Sequence, residues 1–152
     1  MPSTYDLSVL KRHAFLVSFG DTVLGPLASE PKIESKVETY DCSIYEQGRN
    51  VVASYVEKNE IQVTVSTKNV AAALDLIKAF RNGDDLLAST ARKALTFTPI
   101  VADGVTEKTL TFTSAALQPE LSYVPASTAD HTAKLVFRCF PDATTGALYT
   151  YA

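Results

Sequence analysis

One helical stretch in a chain otherwise patterned for strands constrains this sequence most. Residues 67–83, TKNVAAALDLIKAFRNG, are the only run with sustained helical period. Val70, Ala73, Leu74, Ile77 and Phe80 fall at i, i+3, i+4, i+7 and i+10, which makes one apolar stripe. Asp75, Lys78 and Arg81 lie mostly outside it. Ser66 or Thr67 is the expected N-cap, because a hydroxyl oxygen can take a free backbone N–H. Asn82-Gly83 supplies a left-handed stop. Alanine at 71, 72 and 73 allows close approach to a sheet. The pattern predicts a mainly β domain, a barrel or sandwich, with one flanking α-helix over about residues 67–82. That helix should pack on one face or one open end.

The flanking runs read as strands. AFLVSFG is followed by the turn Gly20-Asp21 and by TVLG, a hairpin that Gly25-Pro26 closes. In KIESKVETYDCSIY, Ile33, Ser35, Val37 and Thr39 share one face; Lys32, Glu34, Lys36 and Glu38 share the other. After Thr39 the apolar face switches to Tyr40, Cys42 and Ile44. A period-2 pattern changes face only at a bulge or bend, which is expected near Glu38–Asp41. EQGRN is a turn, followed by VVASYVEK, a break at Asn59, and IQVTV. Residues 84–93 read as a loop with room for one more helical turn. LTFTPI and TLTFTSA are a near-identical pair, with Leu and Phe inward, the threonines outward and Asp103-Gly104 as the turn. AKLVFRCF places Ala133, Leu135, Phe137 and Cys139 on one face; the other carries Lys134, Val136, Arg138 and Phe140. That second face is half apolar, so another element or a partner should cover it. ALYTYA reads as a short last strand or an ordered tail.

A chain of 152 residues predicts one domain. Residues 1–13 are expected to be an N-terminal arm, and 14–152 a single β-barrel domain. Folding buries roughly two-thirds of the surface of a chain this size, enough for a core without metals or disulfides. The net charge is −3, with no basic run, which argues against sequence-specific nucleic-acid binding through a positive face. Such a surface is compatible with a channel along which nucleic acid slides without sticking. Cys42 and Cys139 are expected as two buried, reduced thiols. The first 13 residues lack an apolar signal core, and no apolar run approaches membrane-spanning length.

Nothing in the sequence assembles a catalytic or metal site. His13 and His131 are the only histidines, and with the two cysteines they lack close ligand spacing. Asp130 and His131 are neighbours whose side chains point to opposite faces of an extended segment, which suits a turn cap better than a proton relay. Asp84-Asp85 lacks the spaced oxygen ligands of a calcium loop and reads as a solvated helix end. No phosphate loop, nucleophile elbow or dinucleotide fingerprint occurs. The expectation is a non-enzyme without cofactor. Tyr40, Tyr45, Tyr55, Tyr123, Tyr149 and Tyr151 lie in or near strands, where tyrosine serves core rims and subunit interfaces alike.

The order of a hairpin, two long strands, one helix and a further run of strands resembles the tube proteins of phage tails. Contractile injection systems and the type VI secretion tube have related proteins. The phrases carrying this resemblance are KIESKVETYDCSIYEQGRN, NVAAALDLIKAFRNGDDLL, TLTFTSAALQPELSY and DHTAKLVFRCFPDATTGALY. The likeness is one of architecture over residues 14–150. It implies a structural virion protein of the tail, assembled in the host cytoplasm into stacked, commonly hexameric rings. DNA would pass through the channel as non-specific cargo, and tape-measure, baseplate or sheath proteins would be partners. A tail terminator, connector or baseplate protein of related fold is the alternative; a small-ligand-binding β-barrel is the second. Under the tube reading the interface candidates are Lys32, Glu34, Lys36, Glu38, Tyr40, Tyr45, Arg49, Val52 and Tyr55, joined by Val136, Arg138 and Phe140. The strands at 32–45 and 51–58 would form an inner-barrel hairpin tipped by EQGRN. The arm and loop 114–131 would stack rings.

Overall fold

A computed structural model describes residues 13–48, 50–101 and 106–152. Most of the arm, Arg49 and the Asp103-Gly104 turn therefore lie outside the described residues. The strands are β1 (Ala14–Phe19), β2 (Thr22–Val23), β3 (Lys32–Ile44), β4 (Asn50–Thr67), β5 (Lys93–Ile100), β6 (Leu110–Gln118), β7 (Tyr123–Val124), β8 (Thr132–Phe140) and β9 (Thr150–Tyr151). One helix, α1 (Val70–Lys78), follows β4. All pairings are antiparallel, in the order β2-β1-β5-β6-β8-β4-β3, with β7 on β8 and β9 on β6.

The segment between β2 and β3 curls the sheet toward closure. Leu24 N donates to Val17 O on β1, while Ala28 N donates to Ser66 O and Lys68 N to Pro26 O at the end of β4. Residues 24–28 thus bridge the first and the later strands, with a cis bond at Gly25-Pro26. Inside this curl lies the core: Val17, Phe19, Leu24, Val63, Val65, Leu95, Phe97, Phe112, Leu117, Leu135, Phe137 and Cys139 are buried. Strict alternation produces it, since Ile61, Val63, Val65 and Thr67 point in while Gln62, Thr64 and Ser66 are half-exposed. Phe19 meets Phe137 at 4.8 Å and Phe97 meets Phe112 edge-on at 6.0 Å, which are favourable aromatic geometries.

The helix is shorter than its sequence pattern. Asn69, not Ser66 or Thr67, is the N-cap, its side chain accepting from Ala72 N. Thr67 is fully buried and its hydroxyl is drawn the other way, donating to Leu24 O and accepting from Asn69 N at 2.9 Å. A core position claimed by the sheet outranks the local capping preference. The helix ends at Lys78, with Gly83 in the left-handed region at φ 92° some residues later. Ala73 is buried, and Val70, Leu76, Ile77 and Phe80 pack against the core. This helix covers the barrel end bearing Thr67; the β3–β4 hairpin leaves from the opposite end of β4.

One further expectation needs correction. β4 runs unbroken through Asn59, because Asn59 pairs with Val37 across the ladder. Residues 84–92 form the expected loop, made of successive turns, with Asp84 accepting from Arg81 N and Asp85 from Leu87 N. The carboxylate pair therefore caps a turn beyond the helix.

Candidate functional site: the projecting hairpin

The molecule's unsatisfied surface is concentrated on one element. β4 pairs with β8 only from Ile61 to Thr67. From Asn50 to Asn59 its sole partner among the described residues is β3, so this part of the hairpin is a two-stranded ribbon standing off the barrel. Every residue of β3 is exposed except half-buried Cys42. Ile33, Val37, Tyr40, Ile44, Tyr45, Val51, Val52, Tyr55 and Val56 are all exposed apolar or aromatic side chains of this hairpin. Isolated two-stranded ribbons are marginal in water, and an apolar one with open edges invites pairing with another chain.

The register explains the face switch. Glu38 pairs with Lys58 and Thr39 with Val56, so Glu57 is an extra residue in β4; Cys42 pairs with Ala53 and Ser43 with Val51, so Val52 is another. The expected irregularity at Glu38–Asp41 is present, but the inserted residues are on β4. β3 itself alternates regularly, carrying Lys32, Glu34, Lys36 and Glu38 and then Tyr40 and Cys42 on one face. Tyr40 stands directly opposite Tyr55 on that face. On the other face the Ser54 hydroxyl donates to Asp41 at 2.6 Å.

The same face continues across the barrel wall. Glu34 is opposite Gln62, Gln62 is opposite Arg138, and Thr64 is opposite Val136. Lys32, Glu34, Lys36, Glu38, Tyr40, Tyr55, Val136, Arg138 and Phe140 are thereby brought onto one surface of three adjacent strands. Tyr45 and Val52 lie at or near the tip. The charges are internally matched. Lys32 Nζ lies 2.8 Å from Glu34, Lys36 faces Glu60, and Glu38 faces Lys58. Glu34 is held below the usual carboxylate range by Lys32, whose own pKa is raised by the same contact.

Sequence reasoning missed Glu60. It is 8% exposed, gripped by Arg138 Nε at 2.6 Å and Nη2 at 3.3 Å, with Lys58 Nζ at 3.6 Å. The Arg138 guanidinium holds its carboxyl below the usual range. Arg138 also stacks on Phe140, 5.1 Å from the ring centre, so the half-apolar outer face of β8 is partly satisfied from within. The available signal was an acid on the outward phase of a strand whose neighbour carries Arg138 on the same phase.

The other polar groups are engaged in local structure. Asp130 pairs with Lys68 at 2.9 Å, while His131 contacts Tyr123 Oη at 2.7 Å and Ala126 O at 2.8 Å. With Nε2–H donating to the carbonyl, Nδ1 accepts from the tyrosine, and the loop is pinned. Among the described residues no group of three His, Cys, Asp or Glu side chains could hold a metal. Both cysteines are free thiols; burial pushes Cys139 up to about 12, but Cys42 is only half-buried, contrary to the expectation for it. A cavity of about 320 Å³ at the end opposite the helix is lined mainly by Phe15, Ile33, Phe97, Leu110 and Tyr151, with His13 and Glu30 beside them.

No protein-family model matches this chain, and no curated protein sequence matches it. Solved structures do. A chain of the sheath/tube terminator of PVC, an extracellular contractile injection system, in the extended state, aligns with TM-score 0.64 and 12% identity over 94% of this chain and 96% of that one. A chain of the anti-feeding prophage tube-terminating cap aligns with TM-score 0.58 and 15% identity over 100% and 99%. A chain of the PVC sheath–tube complex aligns with TM-score 0.54 and 16% identity over 91% and 94%. At such identities the likeness is one of fold: a mainly β, antiparallel domain with one helix, shared with components of tail-like particles.

Proposed function

We propose that this chain is a non-enzymatic structural subunit of a phage-tail-like or contractile-injection-type particle, placed at the tube end as a terminator or cap. The projecting β3–β4 hairpin carries the assembly half of this reading. Its free edge on β3 and the free edge of β4 over residues 50–60 are complementary in direction. Joining β3 of one copy to β4 of the next continues an antiparallel sheet, and rotation closes it into a ring. The near-complete likeness to chains of two terminator or cap particles supports the end position.

The interface comprises Lys32, Glu34, Lys36, Glu38, Tyr40, Tyr45, Arg49, Val52 and Tyr55, with Val136, Arg138 and Phe140 continuing it on the barrel. Six copies is the number to be counted. Tape-measure, baseplate or sheath proteins are the neighbours, and DNA is non-specific cargo. The second reading is a repeating tube subunit, favoured by the likeness to a chain of the sheath–tube complex. Electron microscopy of the purified protein across a concentration series separates the two. Single closed rings that do not grow support the terminator, stacked filaments support the tube subunit, and a strict monomer at every concentration sinks both.

A further inference from the structure

Glu60 is the only buried charged side chain among the described residues, and its position is specific. Ile61–Cys139 is the last pair in the β4–β8 ladder, so Glu60 sits where β4 leaves the barrel. Beyond it comes Lys58, and then the inserted Glu57, where the ribbon's local twist changes. A two-stranded ribbon has no third strand to fix its direction. At this root the carboxylate is held by Arg138 Nε and Nη2 from β8 and approached by Lys58 from the ribbon side. The Phe140 ring backs the guanidinium at 5.1 Å. A bidentate Arg–carboxylate pair fixes orientation as well as distance. The barrel does not need this contact to hold β4, since seven in-register residue pairs already join β4 to β8.

We propose that Glu60 and Arg138 are positioning residues that set the direction in which the hairpin leaves the barrel, and through it the angle at which copies join. The second half rests on the assembly reading above.

The test is hydrogen exchange on the full chain, read by segment, with electron microscopy of the same samples. Arg138→Met keeps an apolar stem over Phe140 and removes the fork; Glu60→Gln removes the charge in nearly the same shape and serves if the first variant folds poorly. Amides of residues 50–58 should exchange at least tenfold faster in either variant, while those of 61–65 and 133–139 change less than twofold. The yield of closed rings should fall, and the swap Glu60→Arg with Arg138→Glu should restore both readouts in part. Equal acceleration in the barrel strands would make the pair an ordinary staple and overturn the proposal, as would an unchanged hairpin. A faster-exchanging hairpin in a protein that never forms rings would keep the positioning role and remove the assembly reading.

Discussion

β4 is one strand living in two environments. From Ile61 to Thr67 it has neighbours on both edges, and every second side chain is buried. From Asn50 to Lys58 it has one neighbour and exposes nearly everything it carries, valines and a tyrosine included. Composition barely changes along it; the number of partners does. The barrel half is satisfied by its own chain, and the ribbon half carries apolar side chains that are exposed among the described residues. The two halves should therefore answer differently to the same kind of substitution.

The sharpest contrast pairs Phe137→Ala with Tyr55→Ala. Phe137 is fully buried against Phe19, so its truncation should cost about 3–5 kcal/mol in urea unfolding of the isolated chain. Tyr55 is 60% exposed, and its truncation should stay within about 0.5 kcal/mol while lowering ring yield. Comparable losses from both would erase the distinction between the halves.

Thr67→Val tests the strap that closes the barrel. It leaves the Leu24 carbonyl and the Asn69 N–H without the hydroxyl they share, at a cost of about 1–3 kcal/mol by thermal or urea denaturation.

Acid probes the boundary between the halves. Because Arg138 depresses the Glu60 pKa in the folded state, the contact stabilises above the unfolded carboxyl value and its contribution is lost as pH falls through the folded value. Wild type should exceed Glu60→Gln by on the order of 1 kcal/mol at pH 7, and the gap should close as pH falls below the usual carboxyl range. A gap independent of pH would assign the effect to shape instead of charge.

The smallest perturbation is chemical labelling. Cys42, half-buried on the ribbon, should react with a maleimide in the native chain and become protected on assembly; Cys139, buried at the root, should react only after denaturation. Protection of Cys42 in the monomer would place a cover over the ribbon that the described residues do not supply.

The barrel half was legible because period-2 burial writes itself into residue type: Val63, Leu95, Phe97, Leu135 and Phe137 all announced an inward face. The ribbon's change of face at Thr39 was legible too, and the register confirms an irregularity there. Which strand holds the inserted residues was not, since a bulge on either partner produces the same mismatch. The apparent break at Asn59 misled because asparagine is a poor strand former in isolation, whereas here cross-strand pairing with Val37 holds it. Thr67 read as a cap because capping is local, and its burial is decided by Leu24, a partner 43 positions away. The Glu60–Arg138 contact joins residues 78 positions apart, beyond the reach of any periodicity.

That separation also orders events in time. Only five residues separate the last β3–β4 pair, Ile44 and Asn50, so the ribbon is built from local contacts. The barrel requires β4 to find β8 and β1 to find β5, after long stretches of chain have been gathered in. The exposed apolar ribbon is thus built from the more local pairings, and Arg138 reaches its root only with the long-range docking of β8.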